Sequence, residues 1–279
     1  FREAGLTTPE LDARLLIMAA ARVTREDFLR TPDLPLSRAA AWLLDCFRAR
    51  RMGHEPVSRI LGMREFYGRP FRVTLDVLDP RPETETLVDA ALDVIAEEGW
   101  RERPLRILDV GTGTGCILLT LLAELPCAHG LGSDISQHAL ELALDNAEAL
   151  GLSARASFDH RRSLEPRLHG SAEDFDIVVS NPPYIPSHEI ARLDPGVRDF
   201  DPPGALDGGR DGLDIYRELA AGLLNAVPAG WALFEVGAGQ ASDVTRILRE
   251  VIAPERVARV RTWRDLGGHE RCVAIRTQR

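Results

Sequence analysis

A glycine-rich loop between an apolar run and a helical pattern is the feature that most constrains the fold of this chain. Residues 105–110 predict a buried strand, and residues 116–125 predict an apolar helix. Between them, residues 111–115 read Gly-Thr-Gly-Thr-Gly, and these glycines permit positive φ and close approach of the backbone to a ligand. The helix N-terminus behind the loop offers free N–H groups. The sequence therefore predicts a strand–loop–helix unit that binds a ligand.

Strand and helix patterns alternate after this loop. Further strands are predicted at residues 130–133, 154–158, 176–180 and 231–236, and further helices at 136–150, 212–227 and 241–252. Residues 257–263 and 271–277 predict a final antiparallel ribbon. This alternation indicates an α/β fold with a doubly wound, mostly parallel seven-stranded sheet.

The segment before the loop has a different organisation. Helices are predicted at residues 9–21, 24–30 and 37–52, a β-hairpin within residues 64–74, and a helix at 86–98. We divide the chain into a small helical bundle (1–55), a hairpin linker (56–79) and a catalytic domain (80–279). Periodicity leaves open whether the bundle serves packing, dimerisation or substrate docking, and we assign it to docking.

Composition excludes several classes of protein. The 279 residues carry a net charge of −9, which argues against a general nucleic-acid-binding surface. The four Cys are scattered and the seven His lack metal-ligand spacing, so neither a disulfide framework nor a metal site is expected. No run approaches the roughly 18 apolar residues of a membrane span, and the start lacks a signal-peptide pattern. We expect a cytoplasmic protein.

An acidic residue follows the loop at a distance that suits a nucleoside. Asp134 lies 19 positions after Gly115, at the end of the predicted second strand, where a carboxylate can accept both hydroxyls of a ribose. The spacing of the loop is G-x-G-x-G, whereas the dinucleotide fingerprint needs a glycine where Cys116 stands. An adenosine-containing ligand is predicted, either a dinucleotide or S-adenosylmethionine. We assign Asp109 to ordering the loop, with some contact to the cofactor.

A rigid tetrapeptide ends another predicted strand. Asn181-Pro182-Pro183-Tyr184 comes after residues 175–180, and its two prolines fix φ and stop the strand. Ligands of open α/β sheets bind just outside the carboxyl ends of strands. The tetrapeptide, the glycine loop and Asp134 are therefore expected to form one site.

Together these features resemble class I S-adenosylmethionine-dependent methyltransferases that act on planar amide or amine nitrogens. Residues 80–85 (PRPETE), 107–117, 181–185 and 205–213 (ALDGGRDGL) resemble one branch, the HemK/PrmC release factor glutamine methyltransferases. The resemblance covers nearly the whole chain. It implies methyl transfer from S-adenosylmethionine, with S-adenosylhomocysteine as product, to the Gln of the Gly-Gly-Gln loop of class 1 peptide chain release factors. It also implies a monomer that forms no stable complex with nucleic acid or membrane.

The resemblance also implies roles for individual residues. Asn181 and the Pro182 carbonyl would accept the two N–H groups of the target amide, and Tyr184 would pack against it. Pro183 and Glu83 complete the expected substrate contacts. The expected cofactor contacts are Asp109, Gly111, Thr112, Gly113, Thr114, Gly115, Asp134, Ser163, Leu164 and Asn181. Family members often carry an aromatic residue where Leu164 stands, so Leu164 would pack on an adenine without stacking.

Several alternatives stay open at this stage. Asp109, Glu83, Glu85 and Asp211 are candidates for a general base by position alone, and proton loss to water is equally compatible. A ribosomal protein or an adenine in nucleic acid would be a different substrate for the same tetrapeptide. The acidic charge and the lack of a long insert count against the adenine. A non-catalytic adenosine-binding protein on this fold would not need both Asn181 and Asp134.

Overall fold

The structure is a computed structural model, and it describes residues 1–31, 33, 35–161, 164 and 174–279. Its N-terminal part contains α1 (Pro9–Ala21), α2 (Arg25–Arg30), α3 (Arg38–Met52) and α4 (Val57–Leu61). The first three were predicted from periodicity, and α4 was missed because five residues hold too little of a helical period. Thr24 and Ser37 cap α2 and α3, since their side chains accept hydrogen bonds from Asp27 N and Ala40 N.

A β-hairpin connects this part to the rest of the chain. Strands β1 (Met63–Phe66) and β2 (Arg69–Arg72) pair antiparallel, and the turn residues Tyr67 and Gly68 have φ of 51° and 71°. Positive φ at both positions is the conformation of a type I′ turn, whose twist matches that of the strands. Phe66 and Phe71 are buried and pack edge to face in the main core. The predicted hairpin is therefore present and belongs to the core.

A seven-stranded sheet forms the centre of the described part of the chain, which confirms the predicted fold class. Its strands are β3 (Arg106–Val110), β4 (His129–Asp134), β5 (Ala156–His160), β6 (Ile177–Ser180), β7 (Trp231–Glu235), β8 (Val257–Arg264) and β9 (Glu270–Thr277). The order is β5-β4-β3-β6-β7-β9-β8. The first five strands in that order run parallel, and β9 pairs antiparallel with both β7 and β8.

Helices cover both faces of this sheet. They are α5 (Glu85–Glu97), α6 (Cys116–Glu124), α7 (Gln137–Ala149), α9 (Asp214–Ala226) and α10 (Ala241–Val251). The chain also has a 3₁₀ turn at Pro82–Thr84 and a short helix, α8 (Pro195–Arg198). Alternate residues of β3 enter different cores, because side chains of a strand point to opposite faces. Ile107 packs with α5 and α6, whereas Leu108 packs with α9 and α10. None of the described helices is long and apolar enough to cross a membrane.

The direction of chain progression reverses between β3 and β6. From β3 the chain continues outward to β4 and β5, whereas β6 lies on the other side of β3 and leads to β7. Val110 and Ser180, the last residues of β3 and β6, are partners in register, and Ser180 Oγ donates to the Val110 carbonyl at 2.7 Å. Ligands of such sheets bind at this switch point.

A buried cluster of charges joins three distant parts of the chain, and we call it the Asp201 cluster. Arg59 of α4 donates to Asp201 Oδ1 at 2.7 Å, and both side chains are 1% exposed. Arg81 binds the other carboxylate oxygen, and the backbone N–H of Asp79 also donates to Asp201. Arg59 donates further to the carbonyls of Thr74 and Val77. The cluster therefore fixes residues 74–81 against both α4 and the segment that comes after the tetrapeptide.

We expect Asp201→Ala to lower the free energy of unfolding by about 3–5 kcal/mol, because it leaves the Arg59 guanidinium buried without a counter-charge. Asp199→Ala is the matched control, since its partner Arg198 lies in a solvent-exposed ion pair and its loss should not move the unfolding midpoint measurably. Urea unfolding followed by circular dichroism measures both. Equal midpoints for the two variants would contradict the role given to the Asp201 cluster.

Candidate active site

A cavity of about 420 Å³ lies at the switch point, against the ends of β3, β4 and β6. Its lining includes Gly111 and Gly113 of the glycine loop, Asp134 and residues 181–183, together with residues 76–78 and part of the segment 202–207. The Asp201 cluster holds the segments 76–78 and 202–207 in place, because Asp79 directly follows the first and Asp201 directly precedes the second. The volume lies in the range of small-molecule sites.

The glycine loop has the backbone conformation that its sequence permits. Gly111, Gly113 and Gly115 have φ of 72°, 55° and 79°, a region that other residues rarely adopt. The N–H groups of Gly111 and Thr112 donate to the Ser133 carbonyl at 2.8 and 2.9 Å, which ties the loop to β4. Gly111 and Gly113 line the cavity. The backbone of the loop is therefore the surface that a ligand would contact.

Asp109 orders this loop from behind. Its side chain is fully buried, and its Oδ2 accepts a hydrogen bond of 2.7 Å from the Thr112 hydroxyl. Burial raises the pKa of Asp109 to about 7, while the Thr112 hydrogen bond acts in the opposite direction. Asp109 and Thr112 are not among the described residues that line the cavity. The predicted direct contact of Asp109 with a cofactor remains a prediction.

Asn146 of α7 is a site residue that the sequence analysis missed. Its Nδ2 donates to the carbonyls of Thr114 (2.9 Å) and Arg72 (3.2 Å), and its Oδ1 accepts from Arg72 N at 2.8 Å. One amide thus joins the glycine loop to β2. The sequence could have indicated this residue by its position, because Asn146 is a polar residue on the buried face of α7, in line with Ala139 and Leu142.

The Asp134 carboxylate lies beside the glycine loop at the end of β4. Its Oδ2 accepts from Gly113 N at 3.0 Å, and its Oδ1 accepts from Ser136 N at 2.9 Å. Ile135, the next residue, lines the cavity and is 60% exposed, although the sequence analysis did not single it out. A carboxylate and an apolar side chain therefore stand side by side at the cavity edge.

Three residues of the tetrapeptide line the cavity, and the fourth packs against the core. Asn181, Pro182 and Pro183 line the cavity, and Asn181 Nδ2 donates to the Thr84 hydroxyl at 3.2 Å. Tyr184 does not line it; its ring packs against the core formed with α9 and α10, and its hydroxyl donates to Glu235 Oε1 at 3.5 Å. Burial, followed by the charge of Glu235, raises the pKa of Tyr184 to about 12. Its predicted contact with substrate remains a prediction.

The glycine- and aspartate-rich segment, residues 205–213, is hydrogen-bonded to Ile185, the residue that follows the tetrapeptide. Ile185 N donates to the Leu206 carbonyl at 3.0 Å, and Gly208 N donates to the Ile185 carbonyl at 2.9 Å. A Cβ atom at Gly208 would lie 2.8 Å from both the Pro183 carbonyl oxygen and the Tyr184 Cα, so only glycine fits. Asp207 of this segment lines the cavity.

The remaining predicted residues lie away from the cavity lining. Glu83 is exposed, and Glu85 Oε1 accepts from Tyr67 N at 2.7 Å in the hairpin turn. Asp211 binds Arg217 at 2.6 Å. Leu164 is buried against Gly222 of α9, and Ser163 lies outside the described residues. No group of His, Cys, Asp and Glu in the described ranges could hold a metal ion.

Comparison with known proteins places the chain in a family. Residues 1–62 match the model of the PrmC N-terminal domain, and residues 102–218 match a methyltransferase domain model. The release factor glutamine methyltransferase of Rhodospirillum rubrum is 47% identical over 98% of this chain and 80% of its own length. That of Bradyrhizobium diazoefficiens is 43% identical over 99% of this chain and 90% of its own length. The chain belongs to the release factor glutamine methyltransferase family. The family predicted from the sequence is thereby confirmed.

A solved structure supports the fold of this family member. The hMettl16 catalytic domain in complex with MAT2A 3'UTR hairpin 6 superposes with a TM-score of 0.58, at 16% identity, over 85% of this chain and 81% of that chain. At this identity the likeness concerns the fold alone. The fold of this family member is thus shared with a protein of different sequence.

The buried Asp109 carboxyl predicts a pH dependence of stability. Because its pKa is near 7 when folded and near 3.8 when exposed, the folded state binds more protons between these values. Stability therefore falls as pH rises through this window, by up to about 1.4 kcal/mol per pH unit. Asp109→Asn removes this titration. Its free energy of unfolding, relative to wild type, should rise by about 1–3 kcal/mol between pH 5 and pH 7, measured by urea unfolding. Parallel pH profiles would contradict the assigned burial effect.

Proposed function

We propose that this protein transfers a methyl group from S-adenosylmethionine to the side-chain amide nitrogen of the Gln in the Gly-Gly-Gln loop of class 1 peptide chain release factors. The observation that carries the proposal is the common cavity that the glycine loop and Asn181 line at the switch point. Membership of the release factor glutamine methyltransferase family supports the choice of substrate. We further propose a monomer in the cytoplasm, where translation takes place.

The residues at the β3 and β4 ends suit the methyl donor. Each Asp134 oxygen accepts one backbone N–H and keeps lone-pair capacity for a ribose hydroxyl. Ile135 presents an apolar surface on which an adenine can pack, and the glycine loop allows close approach of a main chain to the rest of the molecule. S-Adenosylmethionine, when bound, supplies an electrophilic methyl group on a sulfonium.

Asn181 and Pro182 suit an amide substrate. An amide nitrogen is a poor nucleophile because its lone pair is delocalised, so the site must hold it in line with the methyl group. Asn181 Oδ1 accepts one N–H of the target and the Pro182 carbonyl accepts the other. Such orientation contributes about 7–11 kcal/mol at best. Positive charge develops on nitrogen as the C–N bond forms and the S–C bond breaks, and both acceptors stabilise it. Loss of a proton to water completes the transfer.

The charges of the cavity favour a protein substrate over nucleic acid. Asp76, Asp134, Asp207 and Glu218 line it, together with Arg161. This excess of carboxylates would repel the phosphates that flank a target adenine. We also propose that residues 1–55 dock the substrate, that residues 56–79 form the linker and that residues 80–279 carry the catalysis.

The substrate is tested by offering four acceptors in parallel with labelled S-adenosylmethionine. A purified release factor should take up label, whereas its Gln→Glu variant in the Gly-Gly-Gln loop, adenine-containing DNA and ribosomal protein should remain unlabelled. Mass spectrometry of the labelled peptide locates the methyl group. Label on DNA or ribosomal protein without label on the release factor would overturn the proposal.

The role of Asn181 is tested by Asn181→Ala, which removes an acceptor of the target N–H. We expect kcat to fall by about two orders of magnitude or more, as when one transition-state hydrogen bond is lost. S-Adenosylmethionine affinity, measured by calorimetry, should change little. Asp134→Ala is the complementary variant, and it should weaken S-adenosylmethionine binding strongly. Near-normal turnover in Asn181→Ala would exclude the assigned orientation.

A further inference from the structure

The role of the Pro-Arg-Pro-Glu-Thr segment can be inferred from one hydrogen bond. Of its polar side chains, Thr84 is the one that contacts the tetrapeptide: its hydroxyl accepts from Asn181 Nδ2 at 3.2 Å. The two residues are 97 positions apart in the chain. Glu83 is exposed and Arg81 belongs to the Asp201 cluster. Thr84 therefore connects this segment to the substrate side of the cavity.

Thr84 is held rigidly. It is 2% exposed and ends the 3₁₀ turn Pro82–Thr84, immediately before α5. Its backbone N–H donates to the Arg81 carbonyl at 3.1 Å, and the Arg81 side chain is bound to Asp201. The turn and the Asp201 cluster therefore fix the backbone at Thr84, and burial restricts its side chain beside Asn181.

This hydrogen bond has a definite direction in the structure. Asn181 Nδ2 donates and the Thr84 hydroxyl oxygen accepts, at 3.2 Å. The NH₂ group of an amide can only donate and its oxygen can only accept. With its NH₂ group bound to Thr84, Asn181 keeps its Oδ1 for a donor from the cavity, which Asn181 lines.

We propose that Thr84 is a positioning residue that fixes the Asn181 side chain with its oxygen available to the cavity, so that the site selects an amide over a carboxylate. This inference rests on the proposed function. An Asn181 oxygen can accept an N–H from Gln, whereas it repels the oxygens of Glu. If Asn181 were free to flip, its NH₂ group could donate to a Glu carboxylate, and the site would lose this discrimination.

Three variants separate positioning from packing. Thr84→Val keeps the volume and removes the hydroxyl, and Thr84→Ser restores the hydroxyl. Thr120→Val is the matched control, because Thr120 is also fully buried but its hydroxyl has no hydrogen-bond partner among the described residues. For each protein, kcat and KM are measured on a release factor. The Kd is measured for the same factor with Gln or Glu in the Gly-Gly-Gln loop.

In Thr84→Val we expect kcat to fall about tenfold or more, and the ratio of the Glu and Gln dissociation constants to shrink about tenfold, the effect of one hydrogen bond. S-Adenosylmethionine affinity should stay within about twofold. Thr84→Ser should restore both kcat and the ratio, and Thr120→Val should match wild type. An unchanged ratio in Thr84→Val, or a failure of Thr84→Ser to restore it, would overturn the inference.

An NMR measurement tests the orientation without any substrate. The side-chain NH₂ signals of Asn181 are identified as those missing from Asn181→Asp in a ¹⁵N-labelled sample. Their exchange with solvent should be slow in wild type and Thr120→Val and faster in Thr84→Val, because the acceptor is lost. If wild type methylates no release factor, the proposed function fails, and this measurement still decides the inference. Equal exchange rates in wild type and Thr84→Val would refute it.

Discussion

The pairing of β3 with β6 is the constraint on which the site depends. These strands are remote in sequence, yet Val110 and Ser180 end them side by side, with the Ser180 hydroxyl bonded to the Val110 carbonyl. Each strand ends where the next residues cannot extend it, at glycines with positive φ after Val110 and at prolines after Asn181. The glycine loop and the tetrapeptide, which end these two strands, therefore lie next to each other at one edge of the sheet. The cavity exists because neither segment can continue the sheet there, and its chemistry depends on the side chains that each segment exposes.

Features that depend on local sequence could be predicted. The periods of α1 and α3, the turn of the hairpin and the alternation of strands and helices are all local, and the structure has them nearly where the sequence places them. The loop and Asp134 come together because parallel strands end at the same edge, which is a consequence of topology alone. The family could be predicted for the same reason, since the four motifs that indicate it are short, contiguous segments.

Contacts between distant segments could not be predicted. The ring of Tyr184 turns toward the core because Gln240 donates to its carbonyl and Glu235 accepts from its hydroxyl, and both partners come more than 50 residues later. Glu85 was grouped with site residues by its position in the Pro-Arg-Pro-Glu-Thr-Glu segment, yet it satisfies the N–H of the hairpin turn. The threonine between the two glutamates is the one that faces Asn181. Within such a motif, sequence marks the segment but not the side chain that acts.

The Asp201 cluster has a consequence for synthesis of the chain on the ribosome. Arg59 precedes its carboxylate partner by 142 residues. At 5–20 residues per second, this separation corresponds to roughly 7–28 s. During that interval Arg59 has been synthesised but its counter-charge, Asp201, has not. Residues 76–78, which line the cavity, therefore cannot yet be fixed by the Asp201 cluster. A nascent chain can therefore form its helices and hairpin early, but it acquires a closed ligand cavity only after most of the catalytic domain has emerged.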